Sequence, residues 1–238
     1  MRHFATLRRS LSLLTSFPNE QRNPDEFYSN LAEDTARLIE QFAPLSGTRV
    51  LDVGGGPGYF VDAFARRKAW YIGVDPFEKS HVKASGHALP FHNDTFDITY
   101  SSNVVEHISD PWKMCEEMLR VTKPGGFTIV SYTIWLGPFG GHETGLWQHY
   151  IGGEYARDRY TRKHGRPPKN VFGESLFDVS CADGLQWARS VQGAKIVREF
   201  PRYHPWWAWW LVKIPGVREF LVSNLVVVLQ KETLPPHF

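Results

Sequence analysis

The sequence predicts an α/β fold built on a doubly wound, mainly parallel sheet. Three observations carry this. From residue 49 onward, short apolar runs with strand character alternate with helical patterns. A glycine-rich tract, Asp52-Val-Gly54-Gly55-Gly56-Pro57-Gly58, joins the first such run to a helix. The length of 238 residues suits one domain with room for an excursion over the sheet.

The elements follow in order. Phe4, Leu7, Leu11 and Leu14 form one face of a helix, with Arg2 and Arg9 roughly opposite and Leu13 off the pattern. Residues 1–22 therefore read as an amphipathic N-terminal segment, and 23–238 as a single domain. Asn23-Pro24-Asp25-Glu26 is a helix start: Asn caps, Pro fits the first turn, and Glu stands at the third position. Phe27, Leu31, Leu38 and Phe42 continue as an apolar stripe that Gly47 closes. Val50 to Val53 is a buried strand and Tyr59 to Arg67 a helix. Tyr71 to Val74 is the second strand, and a short one is expected near His81 to Ala84. Phe96 to Tyr100 is the next strand and Pro111 to Val121 a helix. Lys123-Pro124-Gly125-Gly126 reads as a turn before a strong strand, Phe127 to Tyr132. Residues from about 134 to 180, rich in glycine, aromatics and cations, break the rhythm and read as an insertion over the strand ends. Ala182 to Ser190 is helical, and Ala194 to Phe200 with Asn224 to Gln230 are two last strands able to pair antiparallel.

Composition narrows the classes. A formal net charge of +2 does not favour nucleic acid as partner. Two cysteines, Cys115 and Cys181, sit in no metal-type spacing, so neither a disulfide scaffold nor a metal is expected. Arg8-Arg9 ahead of Leu11, Leu13 and Leu14 raises a twin-arginine export signal. Ser10, Ser12, Thr15 and Ser16 break its apolar stretch, and no small-residue cleavage site follows. No apolar run reaches the ~18 residues of a membrane span. A cytoplasmic protein is the expectation.

The glycine tract bears on a ligand. Glycines let the backbone turn and approach a bound group closely, at the strand ends where helix N-termini point. Asp75, ending the second strand, can accept both hydroxyl protons of a ribose. A dinucleotide fingerprint would place glycines at 54, 56 and 59, but position 59 is Tyr59. Asp52 would repel a pyrophosphate, whereas it suits an ammonium, through water. A ligand with an amino-acid end and a ribose fits better than NAD, which points to S-adenosylmethionine (SAM). The plain alternative is a tight strand-to-helix turn with no ligand.

Val50-Leu-Asp-Val-Gly-Gly-Gly-Pro-Gly-Tyr-Phe60 resembles motif I of class I SAM-dependent methyltransferases, and Ile72-Gly-Val-Asp75 their second motif. Leu89-Pro-Phe91, Phe96-Asp-Ile98, Ser101-Ser-Asn103, Glu106-His107 and Leu119-Arg-Val-Thr-Lys-Pro-Gly-Gly126 resemble the methyltransferase type 11 branch, all in the right order. The resemblance implies a Rossmann-like doubly wound seven-stranded sheet, with a lid insertion between strands 5 and 6. It also implies that Asp52, Gly54, Gly56 and Gly58 line the methionine end of SAM. Asp75 would hold the ribose, with Pro76 and Phe77 beside the adenine, and Ser85 and Gly86 would meet the adenine edge. Many relatives carry an acid where Ser85 stands, and a hydroxyl accepts more weakly. Ser102 and Asn103 would face the sulfonium.

Transfer from a sulfonium is an in-line displacement that rests on alignment and water exclusion. A base is needed only where the acceptor must lose a proton. His107, His142, His149 and Tyr150 are the candidates, each with a packing or orienting role as the alternative. Trp135, Phe139, His142, Glu143, Trp147, His149 and Tyr150, spaced by glycines, suit a lid. Arg157, Arg159, Arg162, Lys163, Arg166 and Lys169 form a basic stretch, either a solvated helix or a patch for anionic headgroups. Residues 203–223 hold four of the nine tryptophans between Trp206 and Trp210, with Lys213 and Arg218 alongside. Trp with flanking cations suits a bilayer interface. Two weak anchors, this segment and the N-terminal one, would hold the protein on the inner face of the plasma membrane, acting on an amphiphilic, lipid or glycolipid acceptor. The overall pattern also resembles actinobacterial methyltransferases tied to envelope lipids. Two other readings compete: a soluble small-molecule methyltransferase, and a SAM-binding accessory protein without turnover in envelope lipid transport.

Overall fold

A computed structural model describes residues 1–16, 22–77 and 79–233 of the chain; residues 17–21 of the N-terminal segment lie outside the described residues. Its seven strands are β1 (Arg49–Val53), β2 (Trp70–Asp75), β3 (Val82–Lys83), β4 (Phe96–Ser102), β5 (Thr122–Thr133), β6 (Ala194–Pro201) and β7 (Asn224–Lys231). They form one sheet of order β3-β2-β1-β4-β5-β7-β6. β1 to β5 are parallel, while β7 runs antiparallel to both β5 and β6. The expected antiparallel pairing of the last two strands is what forms.

Strand alternation feeds two cores. Val50, Ile98, Tyr100, Ile129, Val226 and Val228 face a layer with α2 (Pro24–Ile39) and α3 (Val61–Ala65), through Leu31, Ile39 and Phe64. Leu51, Val53, Val130, Leu225 and Val227 face the opposite layer. There α4 (Pro111–Val121) contributes Met114 and Met118, and α6 (Cys181–Ser190) Leu185 and Trp187. Coverage of both faces explains why these strands read as continuous apolar runs.

Local signals hold at several ends. The Asn23 side chain accepts from the Glu26 backbone N–H, and Pro24 occupies the first turn of α2. Other boundaries move. The helix expected over Tyr59 to Arg67 is the five residues of α3, because the glycine loop runs on to Phe60. Lys123 to Gly126 falls within β5 rather than forming a separate turn, and the register to β4 slips there, between Phe96 and Ile98.

The N-terminal helix α1 (Leu7–Ser16) turns part of its apolar stripe outward. Leu7 and Leu11 are exposed, while Ser10 is buried. The polar side docks instead: Arg9 grips Asp34 of α2 through Nε (2.6 Å) and Nη2 (2.8 Å), and donates to the Arg202 carbonyl. This partly buried bidentate pair seats α1 by its polar side and leaves Leu7 and Leu11 facing out.

Between β5 and α6 the chain makes short 3₁₀ turns at His142–Thr144 and Gln148–Tyr150, then α5 (Gly153–His164). This stretch touches the short turn after β4 (Val105–His107) and closes on itself. The Phe177 N–H donates to the Glu106 carbonyl, and the Trp135 N–H to that of Val179. Among the described residues no helix is long and apolar enough to cross a membrane.

Candidate active site

The carboxyl ends of β1, β2, β4 and β5 meet at one edge of the sheet, the edge where open α/β folds bind ligands. Gly54, Gly56 and Gly58 all have positive φ (84°, 54° and 95°). Two of them serve different ends. A Cβ on Gly54 would collide with the Val104 side chain, so this glycine lets the β1 and β4 ends pack. A Cβ on Gly56 would meet no atom of the described residues within 4 Å. The space beside Gly56 is therefore open to a ligand, which is the fit a SAM-type group needs. The loop is fixed to β2: the Asp75 carboxylate accepts from the Gly56 N–H (3.2 Å) and the Phe77 N–H (2.9 Å). Pro76 and Phe77 follow in the open, Phe77 being 87% exposed.

Asp52 lies beneath this loop, almost fully buried. Its Oδ2 accepts from the hydroxyls of Tyr71 (2.6 Å) and Tyr100 (2.7 Å). Burial raises its carboxyl to about 6, against the two tyrosine hydrogen bonds and with help from the Asp75 charge. A raised acid favours the fold in its protonated form. This contribution is full below about pH 4 and is lost as pH rises through about 6. Asp52→Asn is expected to gain stability relative to the native chain, on the order of 2 kcal/mol, between pH 4 and 7. Urea midpoints compared across that range read the effect, and parallel curves would count against it.

At the far side of the site Asn103 holds a positive φ of 57°, rare for a side-chain-bearing residue and stored most often at functional positions. Its amide oxygen accepts from Asn224 (2.8 Å) and its backbone N–H donates to the Ser131 carbonyl. Ser102 accepts from Arg202 (2.7 Å), which is fully buried. Ser85 is exposed and accepts from the His87 N–H; Gly86 packs on Met114, where a Cβ would not fit.

The four proposed acid–base candidates separate. His107 and His142 come together, ring centroids 5.1 Å apart, beside the buried carboxylate of Glu106. His107 Nδ1 faces the Ser175 carbonyl at 2.7 Å, so it carries the proton and donates. Burial, with His107 adjacent, pushes the His142 imidazole down to about 4. His149 is buried, its Nε2 on the Gly137 carbonyl (3.1 Å), and burial lowers it too. Tyr150 is exposed and lies between His149 and Phe220. Sequence reasoning missed two residues here. Glu106 had a signal, its place next to His107. Arg202 had none, because a cation at a strand end reads as surface.

Glycine loop, β2 acid and strand order together define a class I SAM-dependent methyltransferase. Residues 51–130 match the family model described as "Methyltransferase domain". A protein of Mycobacteroides abscessus described as "Uncharacterized methyltransferase" is 54% identical, the alignment covering 95% of each chain. One of Mycobacterium tuberculosis with the same description is 55% identical, over 94% of this chain and 95% of its own. The chain belongs to this methyltransferase family. A SAM-dependent methyltransferase of Mesorhizobium loti shares the fold, with a TM-score of 0.56 at 19% identity over 84% of this chain and 98% of that one.

Proposed function

We propose that this methyltransferase works at a membrane surface, the inner face of the plasma membrane, on an amphiphilic, lipid-type acceptor. SAM supplies an activated methyl group. The glycine loop would orient its methionine end, Asp75 its ribose, and the Asn103 turn would border the sulfonium. Residues 134–180 would act as the lid that excludes water.

One observation carries the membrane reading: an exposed apolar belt with cations at its rim. The Trp206–Lys213 turn buries Ala208, Leu211 and Val212, and turns Trp209 inward onto Phe200, with ring centroids 4.4 Å apart. Trp206, Trp207 and Trp210 face out, Trp207 and Trp210 more than half exposed. The belt extends one way to α1, where the Trp206 N–H donates to the Ala5 carbonyl and Arg2 lies over the Trp206 ring. It extends the other way through Val217, Phe220 and Leu221 to Tyr150, Ile151 and Trp147, the last under Arg159. Soluble monomers rarely expose so continuous an apolar surface without using it, and interfacial Trp with basic neighbours suits headgroups.

Flotation with vesicles containing anionic lipid tests this. The intact chain is expected to float. A variant with Trp206, Trp207 and Trp210 changed to Ala is expected to stay at the bottom, still folded because these rings face out. Equal partition of both, with methylation of a water-soluble acceptor at full rate, would favour the soluble small-molecule reading. SAM binding with no lipid methylated would favour the accessory one.

A further inference from the structure

We propose that Glu106, His107 and His142 form a binding site for a divalent cation of the zinc class. Each offers one ligand atom, and the three atoms lie within 4.8 Å of one another. Two imidazoles and a carboxylate are a common donor set for zinc and related first-row ions, one that leaves further coordination positions open.

Three features mark the cluster as more than three polar residues in proximity. Glu106 is 1% exposed, and its Oε1 is committed to the Thr133 N–H (3.0 Å). Its Oε2 is buried with no hydrogen-bond partner among the described residues, as is Nε2 of His142. Unpaired buried polar atoms of this kind are costly, and a bound ion removes the cost. The His107 ring is fixed by Nδ1–H on the Ser175 carbonyl, which leaves the Nε2 lone pair for a metal. A ligand histidine oriented by a carbonyl on its other nitrogen is the usual outer-shell arrangement. The loop bearing His142 is anchored next door: Glu143 accepts from both the backbone N–H (2.7 Å) and the side-chain amide (2.9 Å) of Asn170. Both Glu143 oxygens are thereby occupied, which singles out Glu106 as the carboxylate ligand.

The cluster sits one short turn beyond Asn103, past the carboxyl end of β4. Resting on the methyltransferase reading, an open position on the ion would take an acceptor hydroxyl oxygen and lower its pKa. The hydroxyl proton passes to water, the oxygen lone pair forms the bond to the methyl carbon, and the carbon–sulfur pair leaves on sulfur. The acceptor class is then an alcohol or phenol.

The test uses the full chain and Zn²⁺ alone, titrated in competition with a chromophoric chelator and without SAM. Native protein is expected to bind one equivalent with submicromolar affinity. Glu106→Gln and His142→Asn are each expected to weaken it at least 100-fold. The Gln amide oxygen can still accept from Thr133, and Asn tolerates the positive φ of 46° at position 142. X-ray absorption on the zinc-loaded native chain gives an answer free of variant folding. Two imidazole nitrogens at about 2.0–2.1 Å support the site, and a shell with one or none overturns it. Affinity unchanged in both variants, or no stoichiometric binding while SAM still binds, also overturns it and leaves the donor reading intact.

Discussion

Replacing Arg202 with Met is expected to destabilise the protein by about 3–5 kcal/mol. The guanidinium is buried at the junction of three elements. It donates to Ser102 of β4 (2.7 Å), Ser131 of β5 (3.2 Å) and Thr35 of α2 (2.6 Å), and it lies 3.6 Å from Asp34. Removing it leaves Asp34 with Arg9 as its cation and withdraws charge-assisted bonds from the buried Thr35 and Ser131 hydroxyls and the half-buried one of Ser102. The effect should reach further than stability. Asp34 is shared by Arg9 and Arg202, so α1 is tied to the same knot. Urea denaturation with the release of α1 followed by limited proteolysis reads both. A loss under ~1 kcal/mol with α1 still protected would show that the network is dispensable.

Gly56→Ala is expected to separate folding from catalysis. The new methyl meets no atom of the described residues, so the fold loses only the cost of a left-handed Ala, about 1 kcal/mol. The melting temperature should fall by only a few degrees. Methyl transfer should fall at least 100-fold, because the methyl takes the space beside the loop that the donor needs. Gly54→Ala should behave oppositely, with a large loss of stability from the clash with Val104. Equal stability losses in the two variants would mean that the Gly56 space is ordinary packing space.

What was legible in the sequence was what neighbouring residues decide. The cap at Asn23, the limits of α4, the glycine loop and the acid at position 75 depend on local chemistry, and they stand where the pattern put them. The strands were legible because burial on both faces makes them apolar runs. What was not legible depends on partners far along the chain. Asp52 was read as serving an ammonium through water; the Tyr71 and Tyr100 hydroxyls on its Oδ2 were not legible, because only the sheet brings them to it. The apolar stripe of α1 was legible, but the Arg9–Asp34 pair that seats its other side on α2 was not. His107 and His142 were singled out separately, and nothing in the spacing joined His142 to the adjacent Glu106 and His107. The tryptophans of the 206–210 run, read as one block, divide into one inward ring and three outward ones.

The central claim is that the loop at Gly54 to Gly58, closed by Asp75, is the SAM site. Calorimetric titration of SAM into the intact chain and into Asp75→Ala tests it most directly. The intact chain is expected to bind one SAM in the micromolar range, and the variant to bind at least tenfold more weakly. Binding of equal strength in both, or none to the intact chain even with solubilised membrane lipid present, would contradict it.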